Sequence, residues 1–403
     1  MNKKRNTISR PYCHRMENRK TNLTRRFAIR QSVWNLHTFC VRFCILFAFF
    51  ILAFLILIRT NSLHTPPFFS SRYALPLPSS LPPSSSSSAP SSPLFFSFSS
   101  VVHFSNFHLP FRIQMPFSSA VAFPCAGRPV LGVVLVMSRR NGTGAIRREA
   151  IRQSWGRTAP KDVVIRFVVG NASKSEGKRA AKKEDAFLEA EQRKYGDLIR
   201  CDLEDTYGNL HLKMFAAFEW QMHFCPNAEF VMKTDDDTIV DLGRWKLWVG
   251  KKFRKQAEVK GGAAFFGVVL AKTRPFRRRG HKWYVSKKSF PGDIFPDYMQ
   301  GATYFGTTQA VRAVMAHTSE VVGFNMDDLL YTGILAERAK PPVFRFNSGT
   351  VHFRGEQKIW PRKEYCKNGV PLMFAAYSGI RTRHFKNVEE YKRAYQRIRT
   401  VKC

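Results

Sequence analysis

The stretch Phe230 to Val240, FVMKTDDDTIV, decides the fold. Its apolar start reads as a buried strand bounded by polar residues. Asp235, Asp236 and Asp237 close it, and unpaired carboxylates are too costly to bury, so the strand must surface there. In open α/β sheets, ligands bind at the carboxyl ends of the strands. Asp-x-Asp at such an end offers hard oxygens suited to Mg2+ or Mn2+, with substrate phosphates completing the shell. A solvated acidic turn is the plainer alternative, and the rest of the chain decides between the two.

Upstream, Val130 to Met137 is a continuous apolar run and reads as a buried strand. Ala145 to Trp155 has a helical pattern, Val163 to Val169 is strand-like, Glu176 to Tyr195 reads as a charged helix and Leu198 to Leu203 as a strand. Asn209 to His223 is amphipathic, with Leu212, Phe215, Ala216 and Trp220 on one face. Downstream, Leu242 to Gln256 is helical and Ala264 to Ala271 a strand. Strands alternating with helices predict an α/β layer fold around a largely parallel sheet. No GxGxxG or Walker-type glycine loop occurs, which disfavours dinucleotide binding and P-loop chemistry.

The first 124 residues have a different character. Residues 1–42 carry eleven Lys or Arg and read as a basic cytoplasmic tail. Residues 43–58 hold no polar side chain but Cys44, and as a helix they span about 24 Å. With Arg42 and Arg59 at its ends, this segment predicts an uncleaved type II signal anchor with a lumenal C-terminus. Residues 59–124 are rich in Pro, Ser and Phe and read as a stem, which leaves 125–403 as a lumenal catalytic domain. Of the 65 Lys and Arg, 14 lie before residue 125, where Glu17 is the sole acid, so the remainder still carries a net charge of +23. That balance suits anionic partners, yet no nucleic-acid readout motif accompanies it.

Five cysteines follow the anchor: Cys125, Cys201, Cys225, Cys366 and Cys403. An odd number leaves at least one unpaired within the chain, and no CxxC spacing suggests zinc. Asn141-Gly142-Thr143 and Asn171-Ala172-Ser173 are glycosylation sequons, usable at Asn141 and Asn171 if this part is lumenal.

Six short motifs then occur in one order: RREAIRQSWG from Arg147, EDTYGNLHLK from Glu204, KTDDDTIV from Lys233, KWYVS from Lys282, FPDYMQGATYFG from Phe295 and NMDDLLYTG from Asn325. The series resembles glycosyltransferase family 31, the β-1,3-galactosyl- and β-1,3-N-acetylglucosaminyltransferases, over about residues 129–355. The resemblance implies a GT-A fold and a Golgi membrane location. It also implies transfer of a hexose, with inversion, from a UDP-sugar donor to a glycan acceptor on protein or lipid, with Mn2+ or Mg2+ as cofactor. Galactose is the first expectation for the donor sugar and N-acetylglucosamine the second. A non-catalytic, basic glycan-binding protein of the same fold is the alternative from another class.

Carried over by position, Asp235, Asp236 and Asp237 correspond to the family's metal and donor motif, with Asp237 the most direct ligand and His352 a third metal ligand. Asp328 corresponds to the general base, although the family usually shows Glu-Asp where this chain has Asp327-Asp328. Arg147 and Arg152 are expected at the donor's diphosphate or uracil. Trp283, Tyr284, Tyr298 and Gly301 are expected as the wall for acceptor and donor sugar, because aromatic faces suit a pyranose and glycine admits a close approach. Trp155 reads as core or as a base-stacking platform. His211 stands where the family usually has Thr, and the run RPFRRRGHK from Arg274 to Lys282 is more basic than a donor pocket needs.

Overall fold

The computed structural model describes residues 95–116, 123–348, 366–367, 370–371, 375–377 and 387–400. The basic tail, the apolar segment 43–58 and His352 lie outside the described residues. Among the described residues no helix is long and apolar enough to cross a membrane.

The strands in chain order are β1 (Phe95–Phe104), β2 (Phe107–Pro116), β3 (Val130–Met137), β4 (Val163–Asn171), β5 (Leu198–Glu204), β6 (Ala228–Asp235), β7 (Thr238–Val240), β8 (Ala264–Gly267), β9 (Val269–Leu270), β10 (Tyr298–Met299), β11 (Thr303–Thr307), β12 (Phe344–Asn347), β13 (Cys366–Lys367), β14 (Val370–Pro371) and β15 (Ala375–Tyr377). The α-helices are α1 (Gly142–Gln153), α2 (Lys178–Tyr195), α3 (Leu210–Phe224), α4 (Leu242–Trp248), α5 (Arg254–Val259), α6 (Thr308–Met315), α7 (Asp327–Leu329), α8 (Leu335–Arg338) and α9 (Val388–Arg399). Nine strands form one sheet in the order β1-β2-β5-β4-β3-β6-β11-β8-β12. The run β5-β4-β3-β6 is parallel, whereas β11 is antiparallel to both β6 and β8. The alternation in the sequence thus yields the expected α/β layering, but the sheet is mixed where a largely parallel one was expected, because β1, β2 and β11 pair antiparallel with their neighbours. The expected helix from Leu242 to Gln256 is present but passes through a π-helical segment, Val249–Phe253, between α4 and α5.

Strand alternation sends side chains to opposite faces, and both faces of β3 are buried. Val133, Leu135 and Met137 face one apolar cluster with α3, α6 and α8, while Val134 and Val136 face a second with α1, α4 and α9. Trp155 belongs to the second cluster, where its indole Nε1 donates to Tyr391 Oη at 3.0 Å. It is core, not a platform for a base.

One expectation is corrected. The segment 59–124 does not act as a stem throughout, because Phe95–Pro116 is a hairpin that joins the sheet through Ile113 opposite Cys201. Val102, Phe104, Phe111, Ile113 and Met115 are buried in the first cluster. The hairpin turn is bonded to the loop ahead of α7: Ser105 N donates to Val321 O at 2.9 Å, and Asn106 and Gly323 exchange side-chain and backbone bonds of 3.2 and 2.9 Å. The compact unit that includes this hairpin therefore begins well before residue 125. A disulfide joins Cys125 to Cys225. Cys201 is buried and unpaired.

Candidate active site

The register of β3 against β6 sets Met137 beside Asp235, so the carboxyl ends of both strands stop level. Asp235 N donates to Ala302 O at 3.0 Å and Asp236 N to Met137 O at 3.2 Å, which pins the acidic turn between β3 and β11. The three acids then diverge. Asp236 turns inward and is buried, where it accepts from Ser138 Oγ at 2.8 Å and Arg147 Nη1 at 2.7 Å. Asp235 and Asp237 stay partly open, with side chains 36% and 20% exposed.

Arg147 and Arg152 leave the same helix in different directions, and the structure does not bring them together. Arg147 lies at the acidic turn, but its guanidinium is taken up by Asp236 and lies 3.8 Å from Asp237. Burial alone would lower its pKa, and the two aspartates more than compensate. Arg152 points toward the amino end of β5, where it bonds Asp197 and Glu191 and lies over the rings of Phe167 and Tyr195. The expectation that Arg152 reaches the donor is corrected: five residues of helix carry it to the other end of the sheet. Arg148 completes this network by a two-point bond to Glu191 and by a 3.1 Å bond to Ser138, the residue that holds Asp236.

Across the turn, Lys233 is buried and donates to Asp235 Oδ1 at 2.8 Å and to Gly301 O. It also stands 3.6 Å from Asp327 Oδ2, which has no hydrogen-bond partner among the described residues. Burial opposes its charge, yet Asp235 and Asp327 hold its pKa above the ordinary value. A lysine inside an apolar strand calls for such partners. Asp328 follows at the start of α7 and accepts from Leu329 N at 2.9 Å. Its carboxyl is pushed up to about 7 by burial and by repulsion from Asp327. Asp235 is shifted in the same direction, by the partial desolvation of the turn first, with Lys233 opposing and Asp237 adding repulsion, while its part-exposed side chain limits the effect. Gly301 faces Asp328: a Cβ there would stand 2.8 Å from Asp328 Oδ2, so only glycine leaves this carboxylate its place.

The aromatic residues gather on the Asp328 side. Trp283 Nε1 donates to Tyr207 Oη at 3.1 Å. Burial raises the Tyr207 phenol, and Asp327, Asp328 and Asp235 raise it further against the Trp283 bond. Tyr298, on β10, is raised by burial and by Asp328. Tyr284 is half-buried, and its N–H donates to His281 O at 3.0 Å. Tyr207 and Lys233 both lay inside recognised motifs without an assigned role. The lone cation in an apolar strand was the available signal for Lys233, and nothing local marked Tyr207.

Among the described residues, no group of three or more His, Cys, Asp or Glu side chains is set to hold a metal ion. What the turn offers is two partly open carboxylates, Asp235 and Asp237, whose mutual repulsion a divalent cation would relieve. Two hard-oxygen ligands fit Mg2+ or Mn2+, which commonly take the rest of their shell from water and substrate phosphates. Both sequon asparagines are exposed, Asn141 as the cap of α1 through a 3.2 Å bond to Gly144 N, and Asn171 at the end of β4.

Residues 146–344 match the family model described as Galactosyltransferase. UDP-GalNAc:beta-1,3-N-acetylgalactosaminyltransferase 1 of Mus musculus is 33% identical over 223 residues, which cover 54% of this chain and 63% of that protein. Beta-1,3-galactosyltransferase 5 of Mus musculus is 32% identical over 239 residues, covering 58% of this chain and 72% of that protein. The chain thus spans slightly less than two thirds of the first of these relatives and more than two thirds of the second. A crystal structure of an LgtC active-site mutant overlaps 66% of this chain and 95% of its own at 13% identity and a TM-score of 0.32, too slight a likeness to argue from.

Proposed function

Because the chain belongs to the galactosyltransferase family, glycosyltransferase family 31, we propose that it is an inverting, divalent-metal-dependent β-1,3-hexosyltransferase that moves galactose from UDP-galactose to a glycan 3-hydroxyl. The observation that carries this reading is the Asp328 carboxylate, held against Gly301 beside the Lys233–Asp235 pair. A single displacement needs a base on the face opposite the leaving group. Asp328 would take the acceptor hydroxyl's proton as the acceptor oxygen bonds the anomeric carbon. The bond from that carbon to the phosphate oxygen breaks, and its electron pair leaves with UDP. A carboxyl pushed up to about 7 is a stronger base than an ordinary aspartate and is still ionised near neutral pH.

A divalent ion held by Asp235 and Asp237, with His352 as the expected third ligand, would neutralise the charge developing on the diphosphate. Arg147 steadies that turn through Asp236, and Lys233 holds Asp235 toward it. Tyr207, Trp283 and Tyr298 form the wall on which the sugars would lie.

The reading includes a GT-A fold, a type II anchor over residues 43–58 and a Golgi membrane location with the catalytic domain in the lumen. The Cys125–Cys225 disulfide supports an oxidising compartment. A second reading, transfer of an N-acetylhexosamine, is supported by the mouse N-acetylgalactosaminyltransferase relative. The test is sugar transfer by the full-length protein offered UDP-galactose, UDP-N-acetylglucosamine, UDP-N-acetylgalactosamine and UDP-glucose with Mn2+, beside Asp237→Ala and Asp328→Ala. Mn2+-dependent turnover of UDP-galactose, lost in both variants, is expected. Folded wild type that releases no UDP from any donor, yet binds glycans, would leave a binding protein in its place.

A further inference from the structure

Between Leu270 of β9 and Tyr298 of β10, residues 271–297 include eight Lys or Arg and only two acids. The loop is nonetheless tied down. The Arg277 guanidinium donates to the carbonyl oxygens of Val285 at 3.0 Å, Phe290 at 2.9 Å and Gly292 at 2.5 Å. Val285 N donates to Phe276 O at 3.0 Å, and the Phe276 ring stacks on His281 at 4.1 Å. Lys287 pairs with Asp293. Arg274, Arg278, Arg279, Lys282 and Lys288 remain exposed, with no carboxylate in ion-pair reach among the described residues.

This surplus of charge borders the Asp328 side of the site. Lys282 Nζ lies 4.4 Å over the Tyr207 ring, and the next residue, Trp283, bonds the Tyr207 hydroxyl. The far end of the loop runs into Tyr298, next to Asp328. In an inverting transfer the base side is the acceptor side, so the loop, through Lys282 and Trp283, borders the acceptor side and not the donor diphosphate.

We propose that the loop from Arg274 to Lys288 is an acceptor-recognition surface, and that the acceptor is an anionic glycan bearing a uronate carboxylate or a sulfate ester. The proposal rests on Asp328 marking the acceptor side. Like charges held close on a stapled loop repel one another, and an anionic ligand removes that cost. Guanidinium forks match the paired oxygens of carboxylate and sulfate. The Tyr207–Trp283 pair supplies a flat face for the sugar ring.

The test reads binding without turnover, so it stands apart from the transfer assay. Full-length protein in neutral-lipid nanodiscs is titrated with a glucuronic acid-terminated disaccharide, a 6-O-sulfated galactoside and a neutral galactoside, without donor. At least one anionic probe should bind about tenfold tighter than the neutral one at low salt. The double variant Arg278→Glu/Arg279→Glu should abolish the preference, and Arg278→Lys/Arg279→Lys should keep most of it. UDP affinity in Mn2+ should not move in either. Equal affinity for all probes, a preference that survives charge reversal, or a loss of UDP affinity on reversal would each overturn the proposal. So would charge-dependent capture by phosphatidylserine vesicles without preference among the glycans.

Discussion

Asp236 and Asp328 are the same side chain at two turns of one site, and their surroundings treat them oppositely. Asp236 meets a serine hydroxyl and an arginine, so its charge is matched by donors built into β3 and α1. Asp328 meets another carboxylate, a glycine and the backbone N–H groups of residues 328 and 329, and burial and repulsion from Asp327 outweigh those N–H groups and the Lys233 charge to push its proton affinity up. A matched carboxylate holds structure, and an unmatched one stores basicity. The DDD run therefore does not supply three equivalent ligands: its middle residue fastens the turn and its outer two are left for chemistry.

The sharpest way to break the comparison is to remove each charge in turn. Asp328→Asn should lower kcat by about 10^3-fold, in the range of a general base, while thermal unfolding shows no loss of stability. Asp236→Asn should leave Arg147 buried without its partner and cost about 3 kcal/mol of stability, read from urea unfolding. A variant at 328 that loses the fold but spares the rate would reverse the two roles.

The pH profile sharpens the same contrast. Asp328 has a folded value near 7, above that of an ordinary carboxylate. It must lose its proton to act, so kcat should rise with pH through about 7, and Asp328→Asn should remove that limb. Stability runs the other way. The raised value favours the folded state below the unfolded pKa, and this contribution is lost as pH rises toward 7. The smallest effect is expected at Gly301→Ala, where the added methyl group must displace Asp328 Oδ2. The rate should fall about tenfold with the substrate KM little changed, a misplacement effect.

Much of this was legible in the sequence where one signal dominated. Val130 to Met137 is a strand in both readings because a continuous apolar run admits few alternatives. Asp235 and Asp328 were found through ordered motifs, and the structure sets both beside Lys233 and Gly301. The failures have physical causes. Phe111, Ile113 and Met115 alternate with Arg112 and Gln114, a strand pattern obscured by the serines and prolines around it. Arg152 shares a motif with Arg147, but a motif carries no information about which end of a helix a long side chain will reach. Whether a cation serves a ligand or a neighbouring carboxylate depends on partners far away in sequence, as Asp197 is from Arg152.

The β1–β2 hairpin has a consequence for how the molecule is made. Its turn is bonded to Gly323, 217 residues further along the chain. Synthesis runs from the N-terminus, so this strand pair emerges long before the loop that seats it. A two-stranded hairpin is marginal by itself in water. Phe104 and Ile113 must therefore wait, uncovered, for α3 and the residues around Gly323 to arrive. Non-local contacts of this kind slow folding and expose apolar surface to other chains in the interval. The earliest-made strands of the sheet are thus secured in stages, by β5 and α3 first and at their turn by a loop made more than 200 residues later.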